Sequence, residues 1–488
     1  MTAAWNAIRL DARPFLFHAG AAVVTAAVMA AAVDPGNARL ALAVCGMALV
    51  FTVALVSPQL LLYVLIVWLG ALGLIRRVAS LEFPAGANDP LLLIEAVAVG
   101  ALVLASIFRG GFSSRSTLAK ATLALSLLML LGALNPAQGG LATGAAGLLF
   151  GLVPLGAFWV GRAFCDDHTF TRVLRLVAIL AVAAAVYGLR QTFVGFPSWD
   201  AAWIRQADYQ ALHVGAVTRP FGTFSSASEY AAFVAVALVI WVGLGLRLAR
   251  VWFTVPAVVL LAVGLWFESS RGAIFLVPMA FVVMLAARLR ASPALALGGA
   301  AIAVLLVPVV VGQLASATAT GPQAGLVQHQ VQGLTNPLDS SSSTLGLHTT
   351  LVVDGLKRAL HDPLGSGTGA VTIAGTKFGG QSLGTEADFS NAAVALGLPG
   401  LVAFLVVLVS ALRKAYSLAL RRRDACSLVA LGLLMVMVLQ WLNGGQYAVA
   451  LLVWLTLGWL DRTTEAAGDF EPAPAEGRPR APTRARPA

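Results

Sequence analysis

Apolar residues run along this chain in long uninterrupted blocks separated by short polar or basic connectors. The blocks fall near 15–33, 38–56, 58–75, 90–108, 121–134, 141–160, 173–190, 229–246, 251–268, 272–287, 295–311, 395–412, 426–441 and 446–460. A helix of about 20 apolar residues crosses the roughly 30 Å of bilayer hydrocarbon. Because the blocks are continuous rather than alternating at every second residue, the spanning elements are helices and not barrel strands. The pattern predicts an all-α fold, a polytopic integral membrane helix bundle of about 12–14 transmembrane helices, with the short block at 121–134 setting the range. Two stretches are too polar to cross: 191–228, and a long loop between the spans near 295–311 and 395–412. In that loop Leu345, Leu351, Val352, Leu356 and Leu360 recur at helical spacing before Asp362-Pro363 stops the run. An amphipathic helix is expected there, on the membrane surface or against the bundle.

Composition agrees with this picture. Of 488 residues, 59% are hydrophobic and 11% charged, with a mean hydropathy of +0.86, against about 25% charge in an ordinary soluble domain. The net charge of +10 is first of all an orientation signal. With both termini cytoplasmic, 22 of the 32 Lys and Arg residues fall on the cytoplasmic side, as the positive-inside rule requires. Arg76 and Arg77 are on the other side and go against the rule. The expected location is a bacterial inner (cytoplasmic) membrane, crossed many times. The first block, although it follows Arg9 and Arg13, reads as a retained span, since losing it would invert the topology. No basic patch with interleaved aromatics marks a nucleic-acid partner. The cysteines Cys45, Cys165 and Cys426 imply neither a disulfide framework nor a metal site.

The chain divides into N-terminal transmembrane helices (1–190), transmembrane helices with extracytoplasmic arginine loops (191–311), a large extracytoplasmic loop (312–390), C-terminal transmembrane helices (391–460) and a tail (461–488). The tail is Pro/Ala/Arg-rich, which predicts a disordered cytoplasmic segment touching membrane lipids. The cytoplasmic connectors are short and leave no cytosolic domain to handle a nucleotide.

Arg219, in "TRPFGTFSSASEYAAF", and Arg271, in "ESSRGA", each stand at the mouth of a span on the face where positive charge is disfavoured. Something negative must compensate them. The acids Glu229, Glu268 and Glu95 would do so in an ion-pair network that locks helices together; the other solution is a bound anion. Paired guanidiniums suit a diphosphate, whose oxygens accept two N–H donors at once. Glu95, inside a span, reads first as the structural partner of an arginine and second as a transporter's proton relay. His348 and His361 in the long loop, and His213 before Arg219, are candidate general bases near neutral pH. "LGSGTGAV" is either a plain loop or a Gly-rich turn with amides free to sit against an anion. Gly147 and Gly151 suit close helix packing.

Three stretches, in order, resemble the O-antigen ligase and polymerase superfamily of bacterial surface-polysaccharide membrane proteins. "YGLRQTFVGFPSW" with "RPFGTFSSASEYAAFVAVAL" is similar to that family's Arg-x-x-Gly-Thr-Phe segment before a span, and "ESSRGAIFLV" to its Ser-Arg-Gly-Ala turn. "LKRALHDPLGSGTGAV" with "GTEADFSNAAVALGLPGLVAFLVVLV" resembles its Pro-Leu-x-Gly-x-Gly loop and the Gly-Leu-x-Gly that opens the next span. The resemblance covers roughly residues 187–408.

The resemblance implies an integral-membrane glycosyltransferase. It would move a glycan from polyprenyl (undecaprenyl) diphosphate to a glycan or lipid acceptor at the extracytoplasmic face, with no metal and no cofactor. Arg219 and Arg271 would hold the diphosphate and stabilise it as leaving group, supported by Glu229 and Glu268. Ligases of this family carry His-Asn about eleven residues before Gly-Leu-x-Gly; this chain has Glu386 at that place, with Asp388 two residues on. A carboxylate also accepts the proton of an attacking sugar hydroxyl. Glu386 is therefore the expected base, with Asp388 and His348 as alternatives. The departure favours a surface-polysaccharide polymerase, working with a chain-length regulator protein, over a ligase to lipid or protein. A polysaccharide or lipid flippase is the reading from another class, and it requires discontinuous helices and midplane charges.

Overall fold

The structure, a computed structural model, describes residues 20–32, 34–83, 89–207, 213–214, 217–245, 251–318, 324–336, 345–378, 380, 382–385 and 387–467. In chain order its helices are α1 (Gly20–Ala32), α2 (Ala38–Val56), α3 (Pro58–Glu82), α4 (Leu93–Phe108), α5 (Thr117–Gly132), α6 (Leu141–Phe164), α7 (Asp167–Phe193), α8 (Ser198–Ala207) and α9 (Ala227–Gly245). They continue as α10 (Val251–Glu268), α11 (Arg271–Arg288), α12 (Pro293–Thr318), α13 (Ala324–Thr335), α14 (Leu345–His361), α15 (Ile373–Lys377), α16 (Asp388–Arg422), α17 (Ala425–Val436) and α18 (Tyr447–Ala466). A two-residue ribbon pairs His213-Val214 with Val217-Thr218. Among the described residues, ten helices are long and apolar enough to cross a membrane. The protein is an all-α, multi-pass membrane bundle, and each apolar block carries a helix over most of its described residues, although in the block 426–441 the helix ends at Val436.

Short polar residues start the helices. Ser57, Ser116, Asp166 and Asp424 each accept a backbone N–H from the first turn of α3, α5, α7 and α17, a cap contributing about 1 kcal/mol. The centre of the bundle is α9 and α18, buried continuously from Glu229 to Ile240 and from Ala448 to Asp461. A helix apolar all round belongs in such a place. By contrast α12 leaves Leu297, Leu305 and Val309 more than half exposed, as an outer, lipid-facing helix does. The close crossing of α6 and α18 rests on Gly161 and Gly458, where a Cβ would overlap the partner's backbone. Gly147 packs instead against Thr368-Gly369 of the long loop.

Charges segregate to the two ends. At one, Asp461 of α18 is buried and pairs with Arg162 and Lys414. At the other, Asp89 bridges Arg39 and Arg76, both at 2.6 Å. Burial alone would raise the Asp89 pKa, but these arginines outweigh it and hold the carboxyl below its usual range. Arg76 and Arg77, which break the charge rule, are structural at this end. Arg77 is fully buried against Asp200 of α8 at 2.8 Å and donates to the carbonyls of Phe224 and Gly222. Gln191 accepts from the amides of Phe221 and Gly222, and Thr223 donates to Gly70 O at 2.7 Å. The Pro-Phe-Gly-Thr-Phe stretch is thus clamped between α3, α7 and α8.

The Gly-rich loop and the Gly-Leu-Pro-Gly stretch prove to be two halves of one device. Helix α16 begins already at Asp388 and breaks at Gly397, which has φ +67°. The break frees carbonyls, and the loop fills them: Ser366 N donates to Val394 O at 2.8 Å and Gly367 N to Ala395 O at 2.9 Å. Leu398 N returns a bond to Pro363 O at 3.1 Å. Gly369 N donates to Gln138 Oε1 at 2.9 Å. These amides are consumed inside the protein, so the loop is not an anion nest. Helix α14 packs Gly355 against Ser390 and Thr385, while Leu347 and Leu360 on it stay exposed.

Candidate functional site

The connection between α10 and α11 is two residues, Ser269 and Ser270, and Ser269 is held at φ +69°. A left-handed backbone costs a non-glycine residue roughly 1–2 kcal/mol. This turn places Glu268 at the end of one helix and Arg271 at the first position of the next. Glu268 is fully buried; its Oε1 accepts from Arg219 Nη2 at 2.5 Å and its carbonyl from Arg219 Nε at 2.9 Å. The acid paired with Arg219 is therefore Glu268.

Arg271 is held differently. Its Nη2 lies 2.7 Å from His329 Nε2 and donates to His329 O at 3.0 Å. Among the described residues no carboxylate pairs with it. Its guanidinium lies on Gly333 of α13, where a Cβ would overlap it. Since arginine only donates, His329 Nε2 is the acceptor, the ring is neutral, and its proton sits on Nδ1. Burial, then the charges of Arg271 and Arg219, push the His329 pKa below its ordinary value. The two arginines and this histidine share one electrostatic site.

His329 carries no motif. The available signal was the spacing of Leu326, Val327, Gln330 and Leu334, all buried, which marks a helix inside a stretch that otherwise reads as a Ser/Thr/Gln-rich loop.

Buried polar atoms without a hydrogen bond gather in the same place: Glu268 Oε2, Ser269 Oγ, both amide atoms of Gln330, and the indole N–H of Trp266. The Tyr230 hydroxyl, also unpartnered, senses the Glu268 charge. Buried polar groups are almost always satisfied, so these atoms mark a polar pocket inside the bundle. Ser270 makes no side-chain cap bond, which leaves the positive end of the α11 dipole facing the cluster.

Directly beneath lies an apolar groove of about 410 Å³ between α9, α10, α11 and α12. Trp266 and Ile274, each within a turn of Glu268 or Arg271, form its upper wall, and Leu238, Pro278 and Val307 line it deeper. On α12 the lining runs from Ala303 to Val311, about 12 Å of helix axis. Against known proteins, the chain matches no family model and no curated protein. The site's meaning therefore rests on its geometry.

The other sequence candidates lie elsewhere. Glu229 turns away from the cluster: its Oε2 accepts from Ser225 N at 3.3 Å, and its charge interacts with Arg76 and Arg77. Glu95 is buried with an unpartnered Oε1, and the charge it meets is that of Glu229 rather than an arginine. Asp388 is buried and accepts from Leu442 N at 2.7 Å, while its own amide donates to Leu439 O at 2.9 Å. It ties α16 to the segment before α18. His348 is half-buried on α14, His361 is exposed on the same helix with Nδ1 2.9 Å from Lys357 O, and His213 sits in the ribbon beside Thr218. Glu386 lies outside the described residues. No group of three or more metal-ligating side chains occurs among the described residues.

Proposed function

We propose that this protein is an integral-membrane glycosyltransferase that takes a glycan from a polyprenyl diphosphate, polymerising a surface polysaccharide. The observation that carries the reading is Arg271: a cation without a carboxylate partner among the described residues, standing with Arg219 at the head of an intramembrane apolar groove. A polyprenyl diphosphate has the complementary form, a dianionic head on a long hydrocarbon chain. Guanidiniums and the α11 N-terminus take the diphosphate, and the groove takes the first part of the chain.

The chemistry is a displacement. The acceptor hydroxyl oxygen forms a bond to the anomeric carbon, and the bond from that carbon to the diphosphate breaks, its electron pair leaving on a phosphate oxygen. Arg219 and Arg271 stabilise the charge that develops there, in a poorly hydrated site where such donors count most. The hydroxyl proton goes to a carboxylate, the role that the resemblance assigns to Glu386. Lys and Arg counts orient the reaction to the extracytoplasmic face of the inner membrane, with both termini cytoplasmic.

The test is reconstitution of the purified protein in liposomes with a polyprenyl-diphosphate oligosaccharide, wild type beside Arg271→Ala, with products separated by size. Elongated glycans from the wild type and none from the variant are expected. Equal chain lengths from both would overturn the proposal. A wild type that elongates only when lipid or protein acceptor is supplied would make it a ligase.

A further inference from the structure

A second cavity, of about 610 Å³, lies on the far side of the clamped segment that carries Arg219. Its size is within the roughly 300–1,000 Å³ of ligand pockets. Four stretches of backbone outside the α-helices meet around it: 219–226, 363–372, 382–385 and 437–446, the second including a short 3-10 turn at Thr368–Val371. Irregular backbone at membrane depth persists only where protein buries it or where it lines a cavity. Internal bonds hold these stretches in place: Asp388 fixes Leu442, Leu383 N donates to Ala370 O at 2.7 Å, and Arg76 Nη1 donates to Ser225 Oγ at 2.9 Å.

The lining is mixed: Leu92, Met129, Phe150, Val371 and Leu396 stand beside polar groups, and neither sign of charge dominates it. Arg76 lies on the wall already shared with Asp89 and stacked 5.1 Å from the Trp203 ring. What remains for a ligand is mainly uncharged. The amide of Gln206 and the amide nitrogen of Asn443 make no hydrogen bond among the described residues, and Gln446, 4% exposed, has an amide oxygen without a partner. Lys377, also in the lining, forms no ion pair among the described residues, though it senses the charge of Asp89. Amide donors and acceptors beside a tryptophan and Tyr447 match a polyol, whose hydroxyls both give and take hydrogen bonds and whose C–H faces lie on aromatic rings.

We propose that this cavity binds the acceptor sugar, with Gln446 and Asn443 as the residues that grip it. The inference rests on the glycosyltransferase reading and adds a separate acceptor pocket to it. From Arg219 to Ser225 is six residues, so the Cα atoms of these two residues are no more than about 20 Å apart even if the segment is fully extended. The 219–226 segment carries Arg219 at one end and, at the other, Ser225 and Ser226, which line the cavity, so one short stretch of chain joins the two sites.

The experiment is saturation-transfer NMR on the full chain in nanodiscs, titrated with methyl glycosides of hexoses, 6-deoxyhexoses, N-acetylhexosamines and hexuronates. At least one class is expected to bind the wild type, to bind Asn443→Ala and Gln446→Ala at least tenfold more weakly, and to bind Arg271→Ala as the wild type does. A diazirine-bearing glycoside of that class is expected to label the peptides around 203–206 and 443–447 in the wild type, a readout that does not depend on the variants folding. Absence of binding by every class at tens of millimolar overturns the acceptor site. So does binding lost in Arg271→Ala but kept in the amide variants, or labelling confined to α13. Loss of transfer in Arg271→Ala is read separately, so failure of the acceptor pocket is distinguishable from failure of the donor reading.

Discussion

Arg77 offers the sharpest test of how the site is held. Its guanidinium is wholly buried, 2.8 Å from an equally buried Asp200, and also satisfies two carbonyls of the 219–226 segment. Replacing it with Met fills much of the volume but leaves Asp200 as an uncompensated buried charge, a loss of about 3–5 kcal/mol. The carbonyls of Phe224 and Gly222 add about 1–3 kcal/mol of lost hydrogen bonding, partly recovered at Gly222, which also faces Gln191 Nε2 at 3.4 Å. Arg77→Met should therefore destabilise by about 4 kcal/mol or more. Asp200→Leu alone should cost about as much, since it strands the arginine. The double variant should be more stable than either single one, because replacing a whole buried pair by apolar side chains is often nearly neutral. Equilibrium unfolding in mixed micelles, with the two singles and the double forming a cycle, measures the coupling. Glycan elongation should follow the same order, restored in part in the double variant. A loss below about 1 kcal/mol in Arg77→Met, or a double variant whose loss is the sum of the two singles, would refute the clamp.

Three further predictions follow from the same geometry. Gly397→Ala puts a methyl group into the Pro363 carbonyl at a residue with φ +67°, and should cost at least about 2 kcal/mol, seen as a lower unfolding midpoint in detergent. His329 has a depressed pKa, so the unfolded chain takes up a proton near the ordinary 6.5 while the native site resists it. Stability should be full above that pH and fall as pH drops from there toward the native pKa; a pH series of thermal midpoints for wild type and His329→Gln should show the fall only in the wild type. Asp388→Asn keeps an oxygen for the Leu442 amide and should retain elongation within a few-fold, whereas Glu386→Gln should lose about 10²–10⁴ in rate. A large loss in Asp388→Asn with elongation kept in Glu386→Gln would shift the base to Asp388.

Arg219 and Arg271, alike in the sequence, are held differently. Glu268 holds Arg219 and partly neutralises it, while His329 orients Arg271 without cancelling its charge. A site that keeps one cation uncompensated next to a compensated one can admit an anionic headgroup without being held shut by its own ion pairs.

The helical class and the span positions were legible in the chain, because a bilayer demands continuous apolar runs and satisfied backbone, and both leave marks in one dimension. Arg219 and Arg271 also stood out there, since a cation on the wrong side of a span needs a reason. Other features depended on contacts between residues far apart in the chain. Whether Glu268 or Glu229 would face Arg219 depended on how α9 and α10 turn about their axes, which a single run of apolar residues does not encode. His329 was hidden because a lone histidine gains meaning only from the arginine 58 positions earlier that it touches. The Gly-rich loop suggested open amides, yet the break at Gly397 supplied carbonyls for them. Asp388, an alternative base in the sequence, also tethers the backbone of Leu442. Only the tertiary structure decided these, because a buried polar group takes whichever partner packing brings within about 3 Å.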